Sequence, residues 1–371
     1  MLDFQNLKFK NAKLLVFPIN MSECNDYIRI CNSIGISVYG ASSENATSNN
    51  KGLTEFIKLP YVTEKDFDEV LNQKLIQFNI THVYSPHQAV WWYLKEILER
   101  ENSKRKFILC GSDPFSSIFE MHSLNEKWAK SIYNQSDLKK FPILQNATPH
   151  LKQSTYSILH QIFFNTPGQS DEDKLTALCH IFRVLPKGDV LEIGSLFGRS
   201  AFALGFLANK HKIGNLICID PWGNMGDQGE SAKLLNSNQG EINYNKVFKI
   251  FLNTMSMLDN VGYIRKFSQD AVSKYTDAVH KGVLKTPELG EIELTGKVCL
   301  LHIDGNHTYE NVKNDVESWL RFLKPGGWLL LDDYHWAFGD GPQKIGDELL
   351  LTDKFDESFI MSDTLFLRRA I

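Results

Sequence analysis

One short segment limits the fold of this chain more than any other: an apolar run that passes directly into a glycine-rich turn. Residues 189–193 are Asp-Val-Leu-Glu-Ile, and Gly194 and Gly198 bracket the turn that follows. Such a run predicts a buried parallel strand, and the apolar residues up to about 209 predict a helix behind it. Because glycine permits the backbone conformations of a tight turn, the segment predicts an α/β fold built on a parallel sheet.

An acid followed by two glycines at this spacing is typical of the cofactor loop of S-adenosylmethionine-dependent enzymes. The glycines let the backbone pass close to the methionine part of the cofactor, while Glu192 offers a carboxylate to its positively charged end. Dehydrogenases space their glycines differently, which disfavours a nicotinamide cofactor. We therefore predict S-adenosylmethionine as the cofactor, with five contacts in this segment: Glu192, Gly194, Ser195, Gly198 and Ser200.

The next two strands add three predicted cofactor contacts. The run 216–219 ends at Asp220, one βαβ unit downstream, where a ribose diol is held. After a third strand, Ser268 and Asp270 fall where the adenine ring is usually contacted. Ser268 has an alternative role as the cap of the helix that follows.

Further motifs resemble one branch of the class I methyltransferases, the metal-dependent small-molecule O-methyltransferases of the macrolide-sugar and cephalosporin-pathway type. They are residues 192–200, 303–307, 324–327 and 332–334. In the sugar enzymes of that branch, an aspartate and a later acidic pair bind Mg²⁺, and a histidine acts as base. The resemblance therefore implies a metal site at Asp304, Asp332 and Asp333, with His307 as base. Some relatives have glutamate where this chain has Asp332, whose arm is shorter.

The chemistry explains why these residue types are needed. Mg²⁺ prefers oxygen ligands and keeps waters, so carboxylates at neighbouring strand ends leave positions for the oxygens of a diol. Coordination lowers the pKa of a bound hydroxyl, and Asp304 and His307 are the predicted catalytic pair. His335 lies close to the acidic pair in the sequence and is the alternative base.

The chain is longer than one hydrophobic core usually supports, and we predict three parts. Residues 1–145 form a Rossmann-like α/β domain, residues 146–187 a helical lead-in, and residues 188–371 the methyltransferase domain. Two short β-rich runs near the end of the sequence predict an antiparallel hairpin that closes the methyltransferase sheet.

The element order of the first part resembles the domain that precedes the ATP-grasp fold in carboxylases and ligases. The turn after its first strand, residues 18–22, contains no glycine, which disfavours dinucleotide binding. No later segment resembles the ATP-grasp core. Substrate recognition and homo-oligomer contacts are the two roles we expect for this domain.

The composition excludes two classes of partner. A formal net charge of −4 provides no field that would gather nucleic acid or an anionic membrane. Six cysteines without a CxxC pair predict reduced thiols, and the first residues have no signal-peptide pattern. We expect a cytoplasmic protein that acts on a small molecule.

These observations favour an Mg²⁺-dependent O-methyltransferase whose acceptor is a hydroxyl of a sugar-like or polyhydroxylated small molecule. Two alternatives stay open. One is a metal-independent methyltransferase, with an amine among its acceptors, and the other is a non-catalytic cofactor-binding assembly protein.

Overall fold

The computed structural model describes residues 12–45, 52–100, 107–133, 147–223 and 242–371 except 336 and 338. The chain divides after Leu124 into two compact units. The domain boundary predicted at residue 145 falls outside the described residues. In the part of the chain described, no helix has the length and apolar character that a membrane crossing needs.

The first unit contains a five-stranded parallel sheet with the strand order β3-β2-β1-β4-β5. Its elements are β1 (Lys13–Val16), α1 (Cys24–Ser33), β2 (Ser37–Ser42), β3 (Glu55–Lys58), α2 (Phe67–Gln77), β4 (His82–Tyr84), α3 (Gln88–Glu99) and β5 (Ile108–Cys110). The smaller α/β sheet predicted for this part of the chain is therefore confirmed.

The second unit contains the larger sheet and most of the helices. Its elements are α4 (Pro114–Ser131, which begins before Leu124), α5 (Gln153–Asn165), α6 (Glu172–Ile181), β6 (Asp189–Ile193), α7 (Arg199–Lys210), β7 (Leu216–Ile219), α8 (Tyr244–Met255), β8 (Val261–Ile264), α9 (Ser268–Lys281), β9 (Val283–Thr286), β10 (Gly290–Glu293), β11 (Val298–Ile303), α10 (Tyr309–Trp319), a 3₁₀ turn (Leu320–Phe322), β12 (Leu323–Leu331), α11 (Gly341–Leu350), β13 (Phe355–Met361) and β14 (Thr364–Arg369).

The seven strands of this sheet lie in the order β13-β14-β12-β11-β6-β7-β8. β14 is antiparallel to both of its neighbours, and the other pairings are parallel. The sheet thus has the strand order of a class I methyltransferase, with the predicted hairpin at one edge. β9 and β10, which were not predicted, form a separate two-stranded ribbon.

The central strands are buried on both faces, as their continuous apolar sequence predicts. Along β6, Val190 packs into a cluster on one side of the sheet and Leu191 into a cluster on the other. Helices cover both faces, so the carboxyl edge of the sheet is left for binding.

Some local details differ from the sequence pattern or were not predicted from it. Helix α6 is capped by Asp171, whose carboxylate accepts from the Lys174 N–H. Ser268, for which a helix cap was the alternative role, is the first residue of α9 and makes no cap hydrogen bond. Residues 324–327 lie inside β12, because Leu323 already pairs with Val298.

A buried carboxylate fixes the amino end of β6. Asp189 accepts hydrogen bonds from the Thr295 N–H and hydroxyl, from the Gly296 N–H and from the Tyr275 hydroxyl. It therefore holds the loop before β11 and a helix on one face of the sheet to the strand that leads into the glycine turn.

We expect Asp189→Asn to lower the free energy of unfolding by about 2 kcal/mol, since an amide has one acceptor oxygen and turns N–H groups toward backbone donors. Chemical denaturation of the full chain measures this. Asp277→Asn on the exposed face of α9 is the matched control. Coincident curves for the two variants would contradict the role given to Asp189.

Candidate active site

The glycine turn between β6 and α7 has a backbone that only glycine can supply at its first position. Gly194, Leu196 and Gly198 all have positive φ angles, of 84°, 44° and 95°. A Cβ atom at Gly194 would lie 1.9 Å from the carbonyl oxygen of Asp304. The turn is therefore packed directly against the carboxyl end of β11.

Asp220, at the end of β7, holds this turn in place. Its Oδ2 accepts from the Ser195 and Leu196 N–H groups at 3.1 and 3.0 Å, and its Oδ1 accepts from the Trp222 N–H at 2.6 Å. Burial raises the pKa of the Asp220 carboxyl. The sequence did not predict these backbone contacts, and the ribose contact of Asp220 stays a prediction.

Glu192 lies inside the protein beneath the turn. Its side chain is 0% exposed, its Oε2 accepts from the Ser195 hydroxyl at 2.6 Å, and its Oε1 lies 3.1 Å from His302 Nδ1. Both carboxylate oxygens thus serve protein groups. The predicted contact between Glu192 and the positively charged end of the cofactor is not tested by this arrangement.

The predicted adenine contacts lie at the start of α9. The Ser268 hydroxyl accepts from the Trp319 indole N–H at 2.8 Å, and Asp270 is exposed in the first turn of the helix. Behind them lies Asp315 of α10, which accepts from the Gln269 amide at 3.2 Å. Burial raises the Asp315 pKa to about 6, and a hydrogen bond with Ser268 opposes the shift.

Asp304, His307 and Asp333 form a cluster at the carboxyl ends of β11 and β12. His307 Nε2 lies 2.9 Å from Asp333 Oδ2 and 3.9 Å from Asp304 Oδ1. The three side chains are 21%, 15% and 25% exposed for His307, Asp333 and Asp304 respectively. This acid–histidine cluster, as we call it, is partly open to solvent and offers three ligand atoms within 4.8 Å of one another.

The charges of the acid–histidine cluster act on each other. Burial alone would lower the His307 pKa, but Asp304 and Asp333 outweigh burial and raise it to about 10. Burial, together with the charge of Asp332, raises the Asp304 pKa to about 7. The His307 imidazole and the Asp304 carboxyl therefore both keep a proton to a higher pH than usual.

Asp332 has a ligand atom within 4.8 Å of one on Asp304, but its carboxylate also has partners of its own. Lys174 Nζ donates to its Oδ2 at 2.6 Å, and the Thr364 hydroxyl donates to its Oδ1. Burial opposes ionisation of Asp332, but Lys174 holds its pKa well below the usual range. The three predicted ligands Asp304, Asp332 and Asp333 thus do not form one group of possible metal ligands. Asp332 groups with His302 and Asp304, and Asp333 groups with His307 and Asp304.

Without Asp332, the side chains of Asp304 and Asp333 still fit a Mg²⁺ ion. Mg²⁺ is usually bound by one or two carboxylates while it keeps several waters. Asp304 and Asp333 supply two partly exposed carboxylates at one edge of the sheet. The chemistry of this pair is therefore suited to Mg²⁺ without Asp332.

Two aromatic side chains near the strand ends belong to the core. Trp222 is buried and donates its indole N–H to the Leu196 carbonyl, and Tyr334 is buried and donates to Asp347. His335, the alternative base, is exposed and packs against the Tyr334 ring.

Asp315 generates a pH prediction. Its pKa in the folded protein lies above the usual Asp value, so the folded state binds more protons than the unfolded state between about pH 4 and pH 6. Stability is therefore lost as the pH rises through this window. Asp315→Asn should match the parent at pH 4 and exceed its unfolding free energy by about 2 to 3 kcal/mol at pH 7.5.

Denaturation of the full chain at several pH values measures this effect. Glu317→Gln, an exposed carboxylate on the same helix, is the matched control and should preserve the parent's pH dependence. An Asp315→Asn curve that keeps the parent's slope between pH 4 and pH 6 would show that Asp315 does not cause it.

Comparison with known proteins agrees with this geometry. Residues 191–334 match a sequence family described as a methyltransferase domain. Uncharacterized protein R132 of Acanthamoeba polyphaga mimivirus is 28% identical over 145 residues, which make up 39% of this chain and 50% of that protein. The chain thus spans half the length of this curated relative.

Solved structures that align with the chain include three methyltransferases. They are the O-methyltransferase NovP (15% identity, 69% of this chain and 100% of that chain, TM-score 0.37), TomG from Streptomyces achromogenes in complex with SAM (12%, 66% and 98%, 0.36), and MycE from the mycinamycin pathway in complex with Mg, SAH and mycinamycin VI (13%, 61% and 56%, 0.36). TM-scores this low do not decide the fold, which follows from the strand order described above.

The family match begins in the strand before the glycine turn and ends just after the acidic pair. It therefore covers both the turn and the acid–histidine cluster. Residues 191–334 thus match a methyltransferase-domain family, and the sheet that they help to build has the strand order of the class I methyltransferase fold.

Proposed function

We propose that this chain transfers the methyl group of S-adenosylmethionine to a hydroxyl of a polyhydroxylated small molecule, with Mg²⁺ held by Asp304 and Asp333. The supporting observation is the contact between Gly194 and Asp304, whose carbonyl oxygen lies 1.9 Å from where a Gly194 Cβ would stand. This contact places the cofactor turn and the acid–histidine cluster side by side. Donor and acceptor would then meet at one edge of the sheet.

In this proposal His307 is the base that takes the proton from the acceptor hydroxyl. Its Nε2 lies 2.9 Å from Asp333 Oδ2, so a proton acceptor stands beside a cation ligand. The two carboxylates raise the pKa of His307, and a divalent cation held by them would bring it down toward the ordinary value. Bound Mg²⁺ would also lower the pKa of the acceptor hydroxyl.

The acceptor class follows from the ligand count. Two carboxylates leave several positions of an octahedral ion for water and substrate, and a vicinal diol can occupy two of them. The cluster is partly exposed, so an acceptor can reach it from solvent. Both points favour a sugar-like or otherwise polyhydroxylated molecule.

One observation favours a second candidate, a metal-independent methyltransferase. The Lys174–Asp332 ion pair removes one of the three carboxylates that the sequence predicted as cation ligands. In that case Asp304 and Asp333 orient the acceptor by hydrogen bonds, and an amine becomes a suitable acceptor. Chelation separates the two candidates.

We expect His307→Ala to lower kcat/KM at least about a hundredfold, because a positioned base usually contributes 10² to 10⁴ in rate. Its affinity for S-adenosylhomocysteine, measured by calorimetry, should stay within about threefold of the parent, because His307 is not among the predicted cofactor contacts. Product release from a panel of diols and sugars measures turnover. His335→Ala is the control and should keep the parent's rate. The assignment of the base fails if His335→Ala shows the loss and His307→Ala does not.

We expect exhaustive chelation to reduce turnover at least about a hundredfold and added Mg²⁺ to restore it. Asp333→Asn should raise the Mg²⁺ concentration needed for half-maximal rate, since one of two charged ligands is lost. Full activity in chelator, unchanged by Asp333→Asn, would establish the metal-independent candidate. If calorimetry shows no binding of S-adenosylmethionine to the parent, both candidates fail, and the non-catalytic alternative gains support.

A further inference from the structure

Lys174 of α6 is a buried lysine in the interior of the methyltransferase domain. Its side chain is 1% exposed, and its Nζ lies 2.6 Å from Asp332 Oδ2 and 3.0 Å from His302 Nε2. Lysine is almost never fully buried unless it is paired. The pairing was not predicted, because Lys174 lies in the first turn of α6, 158 residues before its partner in the sequence.

The second partner fixes where the ammonium group lies. Since an ammonium only donates, His302 Nε2 accepts from Lys174, and His302 Nδ1 carries the proton that is donated to Glu192 Oε1 at 3.1 Å. Glu192 Oε2 in turn accepts from the Ser195 hydroxyl in the cofactor turn. Lys174 Nζ is thus linked by buried hydrogen bonds to His302 and, through it, to Glu192. A movement away from Asp332 would leave buried polar groups without partners.

The carboxylate of Asp332 has a partner on each oxygen. Oδ2 accepts from Lys174, and Oδ1 accepts from the Thr364 hydroxyl on β14. The Asp332 charge is balanced by the buried ammonium. The side chains of Asp304 and Asp333 are more exposed than that of Asp332, and both lie beside His307 in the acid–histidine cluster. Two neighbouring acids at the end of one strand therefore have different electrostatic roles.

We propose that Lys174 is a positioning residue that keeps Asp332 away from the cation, so that Asp304 and Asp333 alone supply the charged ligands. The inference deepens the proposed function and rests on it. A buried ion pair is a poor source of stability, because the cost of desolvating both charges offsets their attraction. Its effect on position is a better explanation: the lysine cancels the negative charge closest to the cluster and leaves a site with two carboxylates.

Mn²⁺ binding, followed by electron paramagnetic resonance on the full chain, tests the inference, because carboxylate sites that suit Mg²⁺ also take Mn²⁺. Asp333→Asn should weaken Mn²⁺ binding at least about tenfold, since a ligand is lost. Lys174→Met combined with Asp332→Asn removes the ammonium and the carboxylate charge together, so it should alter the affinity less than about threefold. A loss of tenfold or more in this double variant would make Asp332 a ligand and overturn the inference.

Lys174→Met provides the converse measurement. It removes the ammonium and leaves the Asp332 charge beside Asp304, so Mn²⁺ should bind at least about tenfold more tightly than to the parent. An unchanged or weaker Mn²⁺ affinity in a folded Lys174→Met variant would overturn the inference. Because an unpaired buried charge can prevent folding, Lys174→Met combined with Asp332→Asn serves as the second variant. The double variant should return to the parent's Mn²⁺ affinity, and a double variant that binds tenfold more tightly or weakly would contradict the inference.

The outcomes for the two proposals can be told apart. If the parent does not bind Mn²⁺ but Lys174→Met does, Lys174 prevents Asp332 from acting as a cation ligand, as inferred. In that case the Mg²⁺-dependent function is wrong. If neither binds, both proposals fail. Calorimetry with S-adenosylhomocysteine on the same samples reports the cofactor site independently of the cation.

Discussion

The close approach of Gly194 to the Asp304 carbonyl is the constraint on which the rest of the site depends. A side chain at position 194 would stand 1.9 Å from that oxygen, so the turn can pack against β11 only with glycine there. Asp220 then holds the turn through two backbone N–H groups. Backbone packing, rather than the reach of long side chains, therefore sets the separation between the glycine turn and the acid–histidine cluster.

Charge is arranged in two layers around this contact. The outer layer is the acid–histidine cluster, whose members are partly open to solvent. The inner layer is the buried chain from Thr364 through Asp332, Lys174 and His302 to Glu192. Every acid of the inner layer already accepts from protein donors, whereas the acids of the outer layer are partly exposed.

The sequence predicted those parts of the fold that depend on local pattern. The bounds of β6 were predicted correctly because its apolar run is short and ends at a glycine, and Asp304 and Asp333 were correctly placed at strand ends. Contacts between distant segments were missed: nothing in the helical pattern around Lys174 indicates a partner 158 residues away. The hydrogen bonds that Asp220 accepts from backbone N–H groups were also not predicted, because every residue type except proline can supply such a donor. Residues 324–327 contain a proline and two glycines, which are typical of a loop, and yet β12 runs through them because Leu323 pairs with Val298.

At one edge of the sheet, β14 lies between β12 and β13, although it follows both in the sequence. Thr364, which donates to Asp332, lies on this inserted strand. The surroundings of Asp332 are therefore complete only when the last strand of the chain has paired with β12, so a chain truncated before β14 would keep the glycine turn and Asp220 in its sequence but lose a donor to Asp332.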